Sequence, residues 1–138
     1  MSNALLTIFL VEDDEVDVMN VKRAFAQHNI RNPLFVARDG VEALEKLRNG
    51  EIPKERRIVL LDLNMPRMNG IELLREVRND PALYSTTVVV LTTSKDEQDM
   101  IDAYNLNVAG YLVKPVTFAN FCEVMVALNK YWSLVEFP

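Results

Sequence analysis

A single cysteine, a single histidine and four glycines in 138 residues leave several chemistries without material. Cys122 alone cannot build a disulfide framework, and a lone thiol suits a reducing compartment. His28, the one histidine, sits on a different segment, so Cys122 lacks a neighbouring base and is expected in the core of a C-terminal helix. No stretch approaches the roughly 18 consecutive apolar residues of a membrane span. Residues 1–4 carry no basic region ahead of an apolar run, so the start does not read as a signal peptide, and a cytoplasmic location is expected. Positive charge is also short: at a net −5, free association with nucleic acid or an anionic membrane is not expected. There is no internal repeat, low-complexity tract or linker. What is present is 49% apolar residues, enough to bury the core of one domain of ordinary size.

Strand-like and helix-like segments alternate along that domain. Residues 5–11, 34–37, 58–61, 86–91 and 109–113 read as strands, short, apolar and rich in β-branched residues. Between and after them lie five helical patterns. Val18, Val21, Phe25 and His28 share one face of residues 15–29. Val41, Leu44, Leu47 and Arg48 mark the second helix, begun at the Asp39-Gly40 turn and stopped by Asn49-Gly50. Ile71, Leu74 and Val77 mark the third, closed before Pro81. Residues 95–106 form the fourth, with Met100, Ile101 and Tyr104 expected inward. Thr117 caps the last, which carries Phe118, Phe121, Val124, Met125 and Leu128. The charged stretch 51–57, with Pro53, is expected as a solvated loop. A regular (βα)5 alternation implies an α/β fold, a parallel sheet with helices on both faces.

Four apolar runs end abruptly in reactive side chains. The first ends in Glu12-Asp13-Asp14, the third in Asp62, the fourth in Thr92-Thr93-Ser94 and the fifth in Lys114-Pro115. In an open parallel sheet, ligands bind beyond the carboxyl ends of the strands, so these groups converge on one pocket. Acids near a helix N-terminus can simply cap it, and Asp14 suits that role. Capping does not account for Asp62, which follows four apolar residues. Carboxylates gathered in one pocket repel unless a cation stands among them. Mg²⁺ takes few protein carboxylates and keeps several waters. The expected ligands are Asp13 and Asp62 directly, Glu12 partly through water, and the backbone carbonyl of Asn64. With Lys114 and Thr92 sharing its charge, a phosphoryl group can be held there, and Asp62 is the in-line nucleophile for an aspartyl phosphate.

The strings FLVEDD, LLDLNMPRMNG, VVVLTTS and GYLVKP, in order and each at a strand end, resemble the receiver domain of two-component response regulators (CheY-like) over residues 5–130. The resemblance implies a flavodoxin-like fold with strand order 2-1-3-4-5. It implies that Asp62 is the phosphoacceptor, with Lys114 and Thr92 assisting and a sensor histidine kinase as donor in a phosphorelay. Thr92 and Tyr111 would form the switch, and Lys114-Pro115 a cis peptide bond. Asn64 and Ser94 would tune the lifetime of the phosphate; Ser94 has no carboxylate or amide to orient water, so autodephosphorylation is expected to be slow to intermediate. The acidic triplet, the loop at 49–57 and the terminal aromatic tail are similar to the cyanobacterial phytochrome response regulator group, whose kinases are of phytochrome type. The short apolar tail, residues 131–138, would serve a homodimer or pack on the last helix. Trp132, Leu134 and Phe137, if exposed together, would form a patch wanting a partner.

Other chemistries fit less well. A haloacid-dehalogenase-type hydrolase needs a second acid two residues after its nucleophile, where this chain has Asn64. A flavin-binding module needs an anion-binding loop after the first strand, where this chain has three acids. A receiver-like module that no longer accepts phosphate would lack Asp62, Lys114 or the acidic pair. The expectation is therefore a phosphoacceptor signalling protein, not an enzyme, with no appended output domain. Its output would be contact with a downstream protein or relay of the phosphate.

Overall fold

The computed structural model describes residues 5–137. Residues 1–4, on which the reading of the start depends, and Pro138, the last of the tail, lie outside the described residues. Five strands and five helices alternate: β1 Thr7–Val11, α1 Glu15–Gln27, β2 Leu34–Ala37, α2 Gly40–Arg48, β3 Arg57–Leu61, α3 Gly70–Asn79, β4 Thr87–Thr92, α4 Glu97–Asn105, β5 Gly110–Val113 and α5 Phe118–Ser133. The strands form one parallel sheet in the order β2-β1-β3-β4-β5, the order that the family resemblance implied.

The apolar runs are continuous because both faces of the sheet are covered. Phe9, Val11, Val59, Leu61, Val88 and Val90 point to one core, filled from the other side by Ala43, Leu44 and Leu47 of α2 and Leu73, Leu74 and Val77 of α3. Ile8, Leu10, Ile58, Leu60, Val89 and Leu91 point the other way, onto Val18, Val21 and Phe25 of α1 and Phe121, Cys122 and Met125 of α5. Each fully buried side chain of this size contributes about 1.5–3 kcal/mol. Cys122 is buried, as expected.

Every helix begins on a side-chain cap: Asp14, Asp39, Asn69, Asp96 and Thr117 each accept backbone N–H bonds from the first turn. Asn69 does so within a capping box completed by Glu72. Asp39 also receives two bonds from Arg67, at 2.7 and 3.0 Å, and so ties the loop after β3 to the start of α2. Gly70, the first residue of α3, lies so close to β3's end that a Cβ there would stand 2.7 Å from both the Asp62 carbonyl and the Leu63 Cα. No neighbour could move aside cheaply, since both atoms are backbone.

Several local expectations need correction. His28 leaves the inner face: α1 stops at Gln27, His28 is its C-cap, and Asn29 takes φ 53°. On α4 the inner stripe runs through Ala103, with Leu106 and Val108 following it, so Ile101 and Tyr104 are exposed. A small residue lets the helix lie close, and that fixes its rotation. The loop at 51–57 is not wholly solvated, because Ile52 sits in the core and Arg57 opens β3 in a buried position. The Lys114–Pro115 bond is trans, the intrinsically favoured isomer, and Lys114 reaches the pocket without the cis form. The tail is partly helical, since α5 runs to Ser133. Trp132 and Phe137, 6.0 Å apart, pack on the α5 side of the core, whereas Leu134 is exposed. Of the two alternatives, packing thus holds for Trp132 and Phe137 and exposure for Leu134.

The Asp39–Arg67 pair makes stability depend on pH in a definite direction. The Arg67 guanidinium holds the Asp39 carboxyl below its ordinary 3.8. Unfolding restores the ordinary value, so the pair's contribution is complete above that value and is lost as pH falls through the lower, folded one. Asn caps a helix as well as Asp, so Asp39→Asn removes only the charge. Thermal melts between about pH 5 and pH 2 should show a shallower acid loss in Asp39→Asn than in the parent; equal slopes would contradict the assignment.

Candidate functional site

The strand ladders deliver the reactive groups together. Val11 pairs with Leu61, and the ladder continues one step further: the Asp62 N–H donates to the Val11 carbonyl at 3.0 Å, and the Glu12 N–H to the Ala37 carbonyl at 2.9 Å. Glu12 and Asp62 are thereby neighbours at the carboxyl edge. On the other side, the Lys114 N–H donates to the Thr92 carbonyl at 2.8 Å, which sets Lys114 beside β4's end.

The side chains then meet. The Thr92 hydroxyl donates to Asp62 Oδ1 at 2.8 Å, and the Asn64 backbone N–H reaches the same oxygen at 3.3 Å. Lys114 Nζ lies 3.5 Å from Asp62 Oδ2, 2.7 Å from Asp17 Oδ2, and in direct contact with Glu12 Oε1. Glu12, Asp62 and Thr92 are buried, whereas Asp13 is exposed at the rim. Carboxylate oxygens of Glu12, Asp13 and Asp62 all lie within 4.8 Å of one another. A hollow of about 560 Å³ opens beside them, lined by Asp13, Asn64, Met65, Pro66, Asn69 and Asp99.

The electrostatics show a shortage of positive charge. Burial, reinforced by the adjacent Asp62, pushes the Glu12 carboxyl up to about 8 against the pull of Lys114. Burial alone would lower the Lys114 ammonium, but its bonds to Asp17 and Glu12 raise it instead. One ammonium faces Glu12, Asp17 and Asp62, with Asp13 at the edge. Such an all-oxygen, carboxylate-rich donor set fits a hard divalent cation that retains water ligands. Glu12, Asp13 and Asp62 would hold it.

A second line of contacts leads away from Asp62. The Ser94 backbone N–H donates to Thr92 Oγ1 at 3.3 Å, and the Ser94 hydroxyl to Asp99 Oδ2 at 2.7 Å. The half-buried Tyr111 donates its hydroxyl to the Ser94 carbonyl at 3.0 Å. Burial, outweighing that bond, pushes the Tyr111 phenol up.

The response regulator receiver domain model matches residues 8–126. The chain belongs to the response regulator receiver family. Response regulator Rcp1 of Synechocystis sp. is 36% identical to this receiver over 134 residues, which cover 95% of this chain and 91% of that protein. Two solved structures are similar throughout. The phosphorylated cyanobacterial phytochrome response regulator RcpA superposes with a TM-score of 0.85 at 34% identity, covering 97% of this chain and 98% of that one. The Mn²⁺-bound form of response regulator Rcp1 does so at 0.83 and 35%, covering 96% and 99%. The fold is thus the CheY-like receiver fold, and among the described residues no helix is long and apolar enough to cross a membrane.

The receiver's geometry brings together Glu12, Asp13, Asp62, Asn64, Thr92 and Lys114, all singled out in the sequence. Two participants went unnoticed there. Asp17 holds Lys114 from α1, and the signal for it was its place one turn inside the helix that follows the acidic triplet. Asp99 takes the Ser94 hydroxyl, and nothing in the fourth helical pattern marked it. Asp14 is the cap of α1 and no part of the carboxylate cluster.

Asp13 offers the clearest test of the cation site because its exposed side chain carries little packing. Calorimetric titration with MgCl2 should show Asp13→Ala binding at least about tenfold more weakly than the parent. Unchanged affinity would remove Asp13 from the ligand set.

Proposed function

We propose that this receiver accepts a phosphoryl group on Asp62 from a sensor histidine kinase, in a Mg²⁺-dependent reaction, and signals by contact with another protein. The observation that carries the reading is the environment of the Asp62 carboxylate. It is buried, its Oδ1 is engaged by Thr92 and the Asn64 N–H, and its Oδ2 faces the Lys114 ammonium at 3.5 Å. A carboxylate oriented by donors, faced by an ammonium and largely shielded from bulk water suits attack on a phosphohistidine. The Asp62 oxygen forms a bond to phosphorus as the bond from phosphorus to the donor imidazole breaks. Mg²⁺, when bound at Glu12, Asp13, Asp62 and the Asn64 carbonyl, would supply positive charge to the transferring oxygens. Lys114, beside Asp62 Oδ2, supplies more, and Thr92 a hydroxyl donor.

Phosphorylation gives Thr92 a new acceptor oxygen. Thr92 is bonded to the Ser94 backbone, and Ser94 to both Asp99 and Tyr111, so a movement of Thr92 is felt at α4 and β5. Thr92 and Tyr111 act as the switch in this reading, and the exposed faces of α4, β5 and α5 as the readout, toward a downstream protein, a phosphorelay partner or a second copy of the chain. Relatives named as phytochrome response regulators support a phytochrome-type kinase as donor. A relative solved in a Mn²⁺-bound form supports a divalent cation at the acidic pocket.

Asn64 and Ser94 flank the path of an attacking water in this reading. The Ser94 hydroxyl is already committed to Asp99, so it does not direct water at the phosphate. Turnover should therefore be slow to intermediate.

Phosphotransfer from candidate kinases, followed by radiolabel, tests the whole assignment. Asp62→Asn should take up no label; a labelled Asp62→Asn protein would disprove it. The parent's label should persist well beyond a half-life of seconds once the kinase is removed.

A further inference from the structure

The opposite end of the sheet carries the reverse charge. Arg57 opens β3, about 16 Å along the strand from Asp62. It is 6% exposed, yet among the described residues its guanidinium makes two bonds, both to neutral acceptors: the Ile52 carbonyl at 3.4 Å and the Thr86 hydroxyl at 3.2 Å. Burial pulls its pKa down with no acid to offset it. Its neighbour Arg56 is held in a left-handed backbone conformation, φ 46°, and its Nε is a buried donor without an acceptor among the described residues. The Arg56 guanidinium stands 5.4 Å over the Phe137 ring, and its Nη1 reaches the Val135 carbonyl at 3.4 Å. Among the described residues, neither arginine has a carboxylate partner, whereas the other buried cation, Lys114, has three.

These groups line a small hollow of about 150 Å³ with Lys54, Ser85 and Phe137. Among the described residues, its walls hold three cations and the hydroxyls of Ser85, Thr86 and Thr87, and no acid. A buried guanidinium without an anion is costly, and the cost falls sharply once a charged acceptor arrives. Guanidinium forks and hydroxyl donors match the oxygens of a phosphoryl group. The volume corresponds to only about five waters, too small for a nucleotide.

We propose that this hollow at the amino ends of β3 and β4 binds a phosphoryl group of a small molecule, either inorganic phosphate or the phosphate of a small monoester. Arg57 is the buried anchor, Thr86 and Ser85 are hydroxyl donors, and Arg56 and Lys54 close the rim. The site is separate from the Asp62 pocket and independent of whether Asp62 is phosphorylated.

Amide NMR titration of the full chain, free of divalent cations and at constant ionic strength, tests this. Sodium phosphate should shift the Arg57, Ser85 and Thr86 amides saturably, with half-saturation near ~1 mM, while chloride leaves them in place. Glycerol phosphate in a parallel arm distinguishes the sources: saturation by both marks a site for the phosphoryl group in general, by inorganic phosphate alone a site for the free ion. Arg57→Met should abolish the shifts, and Lys54→Met, at an exposed position that folding tolerates, should weaken them about threefold. Phosphate should also raise the melting temperature of the parent but not of Arg57→Met. Shifts that do not saturate, that chloride reproduces, that centre on Asn64 and Thr92, or that survive Lys54→Met unchanged would overturn the proposal. If Arg57→Met does not fold, Lys54→Met decides.

Discussion

Everything at the carboxyl edge of this sheet depends on β1 and β3 ending in register. Val11 stands beside Leu61, and one further backbone bond, from the Asp62 N–H to the Val11 carbonyl, sets the two strand ends level. A slip of one residue would move Asp62 off the strand end and exchange the side chains of β3 between the two cores. The slip is prevented by the two cores themselves, since β1 and β3 bury alternate residues on opposite faces. Gly70 pins the same point from outside, its α-carbon pressed against the backbone of Asp62 and Leu63.

Given that register, charge does the rest. Three acids contact one ammonium with Asp13 nearby at the rim, and burial, reinforced by the adjacent Asp62, displaces Glu12 upward. Such a gathering of carboxylate oxygens fits a divalent cation. The amino edge shows the reverse sign, where among the described residues Arg57 and Arg56 bond to a hydroxyl and carbonyls and to no carboxylate.

Much of this was legible in the residues themselves. An apolar run that stops at an acid announces both a strand and its functional end, so β1, β3, Asp62 and the acidic pair could be placed from the sequence. Side-chain rotation on short helices could not. On α4 the apolar residues Met100, Ile101 and Tyr104 suggested one face, but close packing selected the smallest residue, Ala103. Partners that lie far apart in the chain were equally hidden. Asp17 and Lys114 meet because α1 and β5 flank the same edge, and no local pattern encodes that meeting. Arg57 looked like part of a solvated charged loop because charge usually stays in water, and here the strand's first residue is covered.

The thin attachment of α4 has a consequence of its own. This helix buries one residue, Ala103, while its cap, Asp96, and its Ser94–Asp99 bond sit at the end nearest Thr92. With little apolar area to sacrifice, the cost of tilting or fraying that helix is small compared with the cost of moving any strand. A displacement of a fraction of an ångström at Thr92 therefore meets its least resistance along α4. Local opening measured by amide exchange would begin there, on a helix whose Ile101 and Tyr104 are already exposed.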